Sequence, residues 1–223
     1  MTILKAEHLS FSYRTKYQTI HAVQDVSCEF DTGKMYAVTG ESGSGKTTLL
    51  SLLAGLDLPE SGKVTVRGND LSQMNRDKYR REQASVIYQA FHLFPMLTAL
   101  ENVMFPMELR NMKKKAAKER AKKLLLQVGL SEKIFSQFPQ MMSGGEQQRV
   151  AIARAFASGG KILLADEPTG NLDTENEQRI VDLLRMSADE RGYAVIVITH
   201  NPKVAARADV ILRMQDGKLV SVC

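Results

Sequence analysis

Apolar and polar residues alternate along the first part of the chain and cluster in short blocks further on. Residues 1–39 follow the two-residue period of strands, with a turn at Gly33, and Met35–Thr39 is typical of a buried strand. A helix is predicted over Lys46–Ala54, directly after this strand. We therefore expect the chain to begin in short strands that lead into a strand and helix pair.

The periodicity changes twice in the middle of the chain. Short strands are predicted at Thr65–Arg67 and Ser85–Tyr88, and residues from about 98 to 158 follow helical patterns. Breaks in that helical stretch are predicted at four places with proline or glycine, namely Pro106, Gly129, Pro139 and Gly144–Gly145. The stretch is interpreted as a helical insert.

Strands and helices alternate in the last third of the chain, which is typical of an α/β fold. The predicted strands are Ile162–Asp166, Val195–Thr199 and Val210–Arg213, with a helix at about 175–191 and another helix before the last strand. The length of the chain suits one domain over residues 1–223. In that domain we expect an α/β core with a β subdomain (1–89 and 160–223) and a helical subdomain (about 90–159).

Composition excludes several classes of protein. Hydrophobic residues make up 43% and charged residues 25% of the chain, which excludes disordered and collagen-like classes. The longest apolar runs are far shorter than the roughly 18 to 20 residues that span a bilayer. The first residues lack the features of a secretory leader, so we expect a cytosolic location. Cys28 and Cys223 lack metal-ligand spacing and cannot form a disulfide framework.

Positive charge is concentrated in one stretch of the sequence. The chain has 30 basic and 25 acidic residues, a net charge of +5. Arg110–Lys123 holds eight basic residues and one Glu, and the apolar Leu124–Leu126 follows directly. The stretch is either a solvated helix face, or a patch for a membrane surface or a nucleic acid.

Polar residues follow three of the predicted apolar strands. Gly40 comes directly after Thr39, Asp166 after Ala165, and His200 after Thr199. Ligands of open parallel sheets bind outside the carboxyl ends of the strands. We therefore expect these three strand ends to converge on one site.

Residues 40–47 have the sequence GESGSGKT and match the P-loop pattern G-x-x-x-x-G-K-[ST]. Glycines let backbone N–H groups surround phosphate oxygens, and the following helix adds its positive N-terminal dipole. Lys46 is expected to neutralise the β- and γ-phosphates, and the Thr47 hydroxyl to ligate Mg²⁺. The predicted nucleotide-binding residues are Gly40, Glu41, Ser42, Gly43, Ser44, Gly45, Lys46, Thr47 and Thr48.

Two acidic residues after an apolar strand indicate hydrolysis. Asp166 is placed to hold Mg²⁺ through water, and Glu167 to orient or deprotonate an attacking water. These roles fit hydrolysis better than transfer to a second substrate. A GTPase would need a guanine-binding N-K-x-D after a late strand, where this chain has THNP.

A second glycine-rich helix start lies at residues 142–149, with the sequence MSGGEQQR. Ser143 can cap the helix and Gly144 and Gly145 expose their N–H groups, so this start is a second anion site. One nucleotide does not need two such sites. The sequence here resembles the signature of ATP-binding-cassette (ABC) ATPases, which binds the γ-phosphate held by the opposite subunit of a dimer. Met142 and Glu146 stand where Leu and Gln are usual, and both leave the Ser-Gly-Gly donors intact.

Further elements of that family match single positions. Gln89 resembles the glutamine that contacts Mg²⁺ and senses the partner, although it is also explained as a polar strand end. Asp173, in Asn-Leu-Asp, resembles the loop that crosses the dimer, and His200 the histidine that contacts the γ-phosphate. Tyr13 resembles the aromatic residue that stacks on adenine, with Tyr17 as a competitor and a core tyrosine as the structural alternative.

The resemblance covers essentially the whole chain. It implies a P-loop NTPase fold with a mixed, largely parallel sheet, an N-terminal antiparallel β subdomain and an α-helical subdomain. It also implies a homodimeric ATPase that uses ATP and Mg²⁺. The catalytic set expected from it is Lys46, Gln89, Glu167 and His200, and the metal set is Thr47, Gln89 and Asp166.

Three segments, GLDLPESGKV, PMLTALENVMFP and DEPTGNLD, resemble the ATPases of lipoprotein release, macrolide export and peptide-antibiotic resistance. That group implies an FtsX-like or MacB-like permease, a peripheral location on the cytoplasmic side of the inner membrane, and an amphipathic substrate. The alternative is a regulatory ATPase like those of cell division, which signals across the membrane without transport. No nucleic acid partner is expected, because the chain has no room for a coiled-coil insertion or a second cassette.

The segment Ala90–Leu97 has five apolar side chains around a proline and makes a poor strand. Such a segment either packs under the helical subdomain or is reserved for a partner helix. The resemblance places a permease's coupling helix here, which favours the second interpretation.

Overall fold

Two β-sheets form the framework of the protein. The computed structural model describes residues 1–222, and Cys223 lies outside that range. The strands are β1 (Thr2–Arg14), β2 (Thr19–Asp31), β3 (Lys34–Thr39), β4 (Ser61–Val66), β5 (Asn69–Asp70), β6 (Ala84–Ile87), β7 (Ile162–Asp166), β8 (Ala194–Ile198), β9 (Val210–Gln215) and β10 (Lys218–Val222). The helices are α1 (Lys46–Leu53), α2 (Arg76–Glu82), α3 (Ala99–Glu108), α4 (Lys114–Gln127), α5 (Gly144–Ser158), α6 (Thr174–Asp189) and α7 (Pro202–Ala205).

The larger sheet has six strands in the order β10-β9-β3-β8-β7-β6. Five of its strands run parallel to one another, namely β9, β3, β8, β7 and β6. The sixth strand, β10, pairs with β9 in the antiparallel direction. The smaller sheet has four antiparallel strands in the order β2-β1-β4-β5. The mixed sheet and the antiparallel N-terminal strands agree with the expected fold class.

Strands β7 and β8 are apolar along their length because both of their faces are covered. Every residue of these two strands is buried. Successive side chains of a strand point to opposite faces, and accordingly Leu163 and Ala165 belong to one apolar cluster, and Ile162 and Leu164 to the other. The first cluster includes the helices α3 to α6, and the second includes α1 and the smaller sheet.

The helices α3, α4 and α5 pack against one another. Helices α3 and α5 each begin with a capping box, in which a hydroxyl side chain at the N-cap and a Glu three residues later bind each other's backbone N–H groups. The predicted break at Pro106 is wrong, because α3 continues through it to Glu108. Proline removes one hydrogen bond of the helix, but the Leu109 N–H still bonds to the Phe105 carbonyl at 3.0 Å.

Several other predictions of secondary structure were wrong in length or position. Strands β1 and β2 are 13 residues long and not short, and their pairing is interrupted by register shifts typical of bulges. Strand β4 begins at Ser61 and ends at Val66, because Arg67 is in the left-handed region (φ 51°) and turns the chain with Gly68. Helix α2 and strand β10 were not predicted.

No helix within residues 1–222 is both long and apolar enough to cross a membrane. The predicted turn at Gly33 lies between β2 and β3, with φ at 78°. The division of the chain at about residues 90 and 159 stays a prediction.

Candidate functional site

The carboxyl ends of three neighbouring strands form one edge of a cavity. Strand β8 pairs with β3 on one side and with β7 on the other, so Thr39, Asp166 and Ile198 lie at the same end of the sheet. The cavity has a volume of about 500 Å³. Its lining comprises Tyr13, Ile20, Ala22, Gly40, Ser42, Gly43, Gly45, Lys46, Thr47, Thr48, Gln89, Asp166, Glu167, Ile198 and His200. The predicted convergence of the three strand ends is therefore observed.

The loop at residues 40–47, called the P-loop below, has a backbone that only glycine tolerates at two points. Gly45 has φ at 98°, and a Cβ atom on it would lie 2.0 Å from the Ala22 carbonyl oxygen. Gly40 has φ at 146°, and its Cβ atom would lie 2.2 Å from the Met214 carbonyl oxygen. Strands β2 and β9 therefore press directly on this loop, which fixes its course.

The Lys46 ammonium group lies inside the curve of the P-loop. Its Nζ donates to the carbonyl oxygens of Gly40 (2.9 Å) and Glu41 (2.6 Å) and to the Ser44 hydroxyl (3.3 Å). Helix α1 begins at Lys46 with no side-chain cap and no acidic residue in its first turn. Its first N–H groups and its dipole are therefore available to an anion in the cavity.

Thr47 and Asp166 meet at the floor of the cavity. The Thr47 hydroxyl donates to the Asp166 carboxylate at 2.9 Å. Burial raises the pKa of Asp166, while the Thr47 hydrogen bond and the charge of Lys46 act in the opposite direction. Over the described part of the chain, no group of three or more His, Cys, Asp and Glu residues is placed to hold a metal ion. The oxygen donors of Thr47 and Asp166 suit a hard cation such as Mg²⁺, which usually takes further ligands from phosphates and water.

Glu167 and His200 form a hydrogen-bonded pair at the edge of the cavity. The distance between Glu167 Oε1 and His200 Nδ1 is 2.8 Å, and the Glu167 N–H donates to the Ile198 carbonyl at 3.0 Å. The Glu167 side chain is 13% exposed, whereas that of His200 is 77% exposed. Glu167 has φ at 47°, a conformation that costs a residue other than glycine about 1–2 kcal/mol. The fold therefore holds this carboxylate in a strained backbone position.

Tyr13 is part of the lining of the cavity, and Tyr17 is not. The Tyr13 hydroxyl is 3.3 Å from the Thr48 hydroxyl, and the Tyr13 ring contacts the edge of Phe11. Tyr17 is 90% exposed and is absent from the lining of the cavity. The geometry thus favours Tyr13 over Tyr17, and its exposure of 45% disfavours the interpretation as a core residue.

Sequence reasoning missed Ile20 and Ala22, which also line the cavity. Ile20 is opposite Tyr13 in the pairing of β1 with β2, so the two side chains share a wall. The alternation of β2 offered a signal, since Ile20 and Ala22 are two residues apart and therefore face the same side. The predicted residue Gln89, which lies two residues after strand β6, is also part of the lining.

The start of α5 does not line this cavity. The N–H and hydroxyl of Ser143 both donate to the Glu146 carboxylate at 2.8 Å, and the Glu146 N–H donates to the Ser143 hydroxyl at 3.3 Å. Gly144 and Gly145 form the first turn of the helix. The predicted anion-binding residues Ser143, Gly144, Gly145 and Glu146 are therefore together, but apart from the lining of the P-loop cavity.

Asp173 caps helix α6 and is also outside the cavity lining. Its carboxylate accepts from the Asn176 N–H at 2.9 Å. The loop before it packs on the start of α5, since a Cβ atom on Gly145 would lie 3.3 Å from the Asn171 carbonyl oxygen. Gln148, which is fully buried and was not predicted, donates to the Pro168 carbonyl at 3.1 Å. Helix α5 is therefore tied to the segment that follows Glu167.

Comparisons with known proteins identify relatives of the whole chain. The sequence profile described as ABC transporter matches residues 23–170. The chain is 43% identical over 220 residues to the lipoprotein-releasing system ATP-binding protein LolD of Shewanella oneidensis, which covers 97% of this chain and 95% of that protein. It is 41% identical over 221 residues to the macrolide export ATP-binding/permease protein MacB of Salmonella typhimurium, which covers 98% of this chain and 34% of that protein. The chain thus spans about a third of the length of its MacB relatives.

The fold is also similar to that of solved structures. One is the dimeric structure of a post-hydrolysis state of the ATP-binding cassette MJ0796 bound to ADP and Pi, with a TM-score of 0.96 and 33% identity. The alignment covers 99% of this chain and 98% of that chain. This agreement confirms the predicted α/β cassette fold.

Proposed function

The chain belongs to the ABC transporter family and is an ATPase, and from this premise we propose that two copies close around two ATP molecules and drive a membrane permease. One observation carries the proposal. The P-loop, Asp166, Glu167 and His200 line one cavity, while the helix start at Ser143–Gly145 is not part of that lining. A second copy of the chain supplies the missing wall.

The P-loop binds the phosphates of ATP. Lys46 exchanges its bonds to the loop carbonyls for bonds to β- and γ-phosphate oxygens, and the free N–H groups at the start of α1 add further donors. Tyr13 supports the adenine ring with its exposed face. Thr47, Asp166 and Gln89 would hold Mg²⁺, which neutralises charge on the phosphates when it is bound.

Glu167 accepts the proton of the attacking water. His200 holds this carboxylate through the 2.8 Å bond, and the Ile198 carbonyl fixes the backbone of Glu167. The left-handed conformation of Glu167 supports this role, because strained backbone positions cluster at sites that need a fixed geometry. Because His200 is largely exposed, its other ring nitrogen is available to the γ-phosphate.

The partner copy contributes its Ser143 hydroxyl and the N–H groups of its Gly144 and Gly145 to the γ-phosphate. The support is that these donors begin a 15-residue helix and have no role in the cavity of their own chain. Asn171 and Leu172, directly before Asp173, lie beside this helix start, and this contact supports a role for Asp173 at the same interface. The dimeric form of the similar MJ0796 cassette supports the arrangement.

Mixing two inactive variants tests this shared site. Lys46→Ala removes the phosphate-binding ammonium, and Ser143→Arg blocks the donor helix, so each homodimer should be inactive. In an equal mixture half of the dimers are mixed and carry one intact site, so we expect about a quarter of the wild-type ATPase rate. Two different affinity tags, purified in sequence, verify that mixed dimers form. Absence of recovery in verified mixed dimers would refute sharing between subunits.

A groove beside α3 is the proposed permease site. It has a volume of about 460 Å³ and its lining combines aromatic and apolar side chains with three arginines: Tyr88, Phe94, Phe105, Pro106 and Leu109 with Arg80, Arg81 and Arg154. An apolar groove of this kind suits an amphipathic helix. We infer an FtsX-like or MacB-like permease, in agreement with the names of the LolD and MacB relatives, and a peripheral position on the cytoplasmic face of the inner membrane.

The loop Ala90–Leu97 contributes Phe94 to the lining of this groove and is held in a defined shape. The buried Asn102 side chain donates to the carbonyls of Phe94 and Leu97 and accepts from the Phe94 N–H. Arg154 of α5 donates to the carbonyls of Phe91 and His92. The loop therefore links Gln89 at the nucleotide to α5 and to the groove, which supports its reservation for a partner helix.

A pair of substitutions in this loop tests the permease contact. Phe94 lines the groove and is 41% exposed, whereas Met96 is 82% exposed and is not part of the lining. We expect Phe94→Asp to abolish co-purification with a co-expressed FtsX-like or MacB-like permease and to leave basal ATP hydrolysis unchanged. Met96→Asp introduces the same charge and should retain the permease. If both variants retain it, the groove is not the permease site, and thermal unfolding distinguishes a lost contact from a lost fold.

A further inference from the structure

Helix α4 carries the whole excess charge of the protein. Six of the 30 basic residues and one of the 25 acidic residues lie in Lys114–Gln127, which leaves 24 of each sign in the rest of the chain. Arg110 and Lys113 precede the helix and add to the same region. The charge is therefore a local property of one element and not a general property of the surface.

The basic side chains of α4 occupy its outward face. Ala117, Ala121, Leu124 and Leu125 are buried, and α4 packs against α3 and α5. Lys115, Lys118 and Lys122 are three and four residues apart and therefore form one row along the helix, in which Lys115 and Lys118 are exposed and Lys122 is half-buried. The only ion pair of α4 within residues 1–222 joins Lys122 to Glu119 at 3.5 Å. Lys115 and Lys118 therefore have no ion pair among these residues.

This charge does not serve the stability of the helix. Lys113 is the N-cap of α4 and makes no side-chain cap bond, and the first turn has no acidic residue. Lys114 and Lys115 instead lie where the helix dipole disfavours positive charge. The neighbouring helices α3 and α5 both have capping boxes with Glu in the first turn. The sequence of α4 departs from local stability rules, which is typical of functional surfaces.

The surface fits a bilayer better than a nucleic acid. Residues 113–127 contain no aromatic side chain on which a base could stack. Leu126, at the end of the basic row, is 47% exposed, and Leu109 just before the row is 51% exposed. Lysines beside exposed leucines are the combination that binds an anionic lipid surface.

We propose that the outward face of α4 binds the phosphate headgroups of an anionic membrane through Lys115, Lys118 and Lys122. Leu109 lines the permease groove at the end of α3, and α4 begins shortly after it in the chain, at Lys114. The contact is additional to the proposed permease contact and needs no permease. It orients the helices α3, α4 and α5 at the membrane before or during docking of the chain to the permease.

Flotation with lipid vesicles tests the proposal on the full chain. The vesicles contain either phosphatidylcholine alone or phosphatidylcholine with about one third phosphatidylglycerol, at about 0.1 M salt. We expect binding to the anionic vesicles only, with a partition coefficient that falls at least about tenfold in the triple variant Lys115→Gln, Lys118→Gln, Lys122→Gln. Glutamine is a good helix former, so the helix should persist.

A matched variant controls for net charge. Arg67→Gln, Lys133→Gln and Lys218→Gln remove the same number of charges from exposed positions scattered over the chain, and should leave vesicle binding nearly unchanged. Basal ATP hydrolysis should be equal in both variants and the wild type. Equal losses of binding in the two variants, equal binding to neutral vesicles, or binding to RNA that exceeds binding to anionic vesicles would each overturn the proposal.

Discussion

The chain has two glycine-rich helix starts, and they are built in different ways. At the P-loop, Gly40, Gly43 and Gly45 all have positive φ, and α1 follows a left-handed N-cap without a side-chain bond. At the start of α5, Gly144 and Gly145 lie within the regular helix, and a Ser143–Glu146 capping box closes its end. The first start is an irregular loop held by its surroundings, and the second is an ordinary capped helix.

The difference explains why glycine is needed at each place. In the P-loop, glycine provides a backbone conformation and close passage under β2 and β9. At α5 a Cβ atom on Gly144 would meet only the Phe91 ring, at an ordinary 3.7 Å. Gly144 leaves the backbone N–H groups at this helix start without a covering side chain. This accessibility is useful only if a molecule outside the chain binds to these N–H groups. The P-loop is thus shaped by contacts within its own chain, whereas the start of α5 has the open surface that the proposed contact with a partner's nucleotide requires.

Alanine substitutions at Gly45 and at Gly144 should have the largest effects, and these effects should differ between the two helix starts. Gly45→Ala forces a Cβ atom to 2.0 Å from the Ala22 carbonyl with φ at 98°, so we expect a loss of unfolding free energy on the order of 3 kcal/mol and loss of nucleotide binding. Gly144→Ala should change the unfolding free energy by less than about 0.5 kcal/mol. It should keep ATP binding by the monomer but lose ATP-dependent dimerisation. Urea unfolding, nucleotide titration and size-exclusion chromatography measure these effects.

The variants Gly45→Ala and Gly144→Ala can also contradict these roles for the two glycines. If Gly144→Ala dimerises with ATP as the wild type does, the start of α5 is not approached closely by a partner's nucleotide. If Gly45→Ala retains its stability, the P-loop relaxes away from β2 and its conformation is not fixed by that contact.

Those parts of the fold and site that depend on short, continuous sequence were predictable. The P-loop residues are consecutive in the sequence. The rule that the carboxyl ends of parallel strands converge predicted that Asp166, Glu167 and His200 lie in the same cavity, as observed. Ile20 and Ala22 were missed because their place in the cavity depends on how β1 pairs with β2, and bulges shift that pairing. Nothing local in the sequence specifies such shifts.

Tertiary packing also explains the errors in helix and strand bounds. Pro106 loses one hydrogen bond, yet α3 continues because its buried residues Val103, Met104 and Met107 pack in the core on both sides of the proline. Gln148 was missed because its bond to the Pro168 carbonyl joins segments 20 residues apart in sequence. Burial of an amide group at such a position follows from the fold and not from the motif beside it.

The smallest expected effect concerns the charge of Glu146 at the start of α5. Its carboxylate accepts from the Ser143 N–H and from the Ser143 hydroxyl, and this hydroxyl is one of the donors proposed to bind the partner's γ-phosphate. Helix α3 has a nearly identical capping box, in which Glu101 accepts from the Thr98 N–H at 2.9 Å and from its hydroxyl at 2.8 Å. The capping box of α3 is therefore a control for effects on helix stability, and only the capping box of α5 also lies at the proposed phosphate site.

Replacing Glu146 or Glu101 by glutamine distinguishes a helix start that binds phosphate from one that is only structural. Glutamine can still accept both bonds, so Glu146→Gln and Glu101→Gln should each cost only about 0.3–1 kcal/mol of stability through the helix dipole. Only Glu146→Gln removes a negative charge from the path of the partner's phosphate, so it alone should lower the ATP concentration for half-maximal hydrolysis, by about two- to fivefold. The gap between this variant and the wild type should narrow as salt is raised, because screening weakens the repulsion. An equal shift in both variants would mean that the Glu146 charge acts through stability and not on the nucleotide.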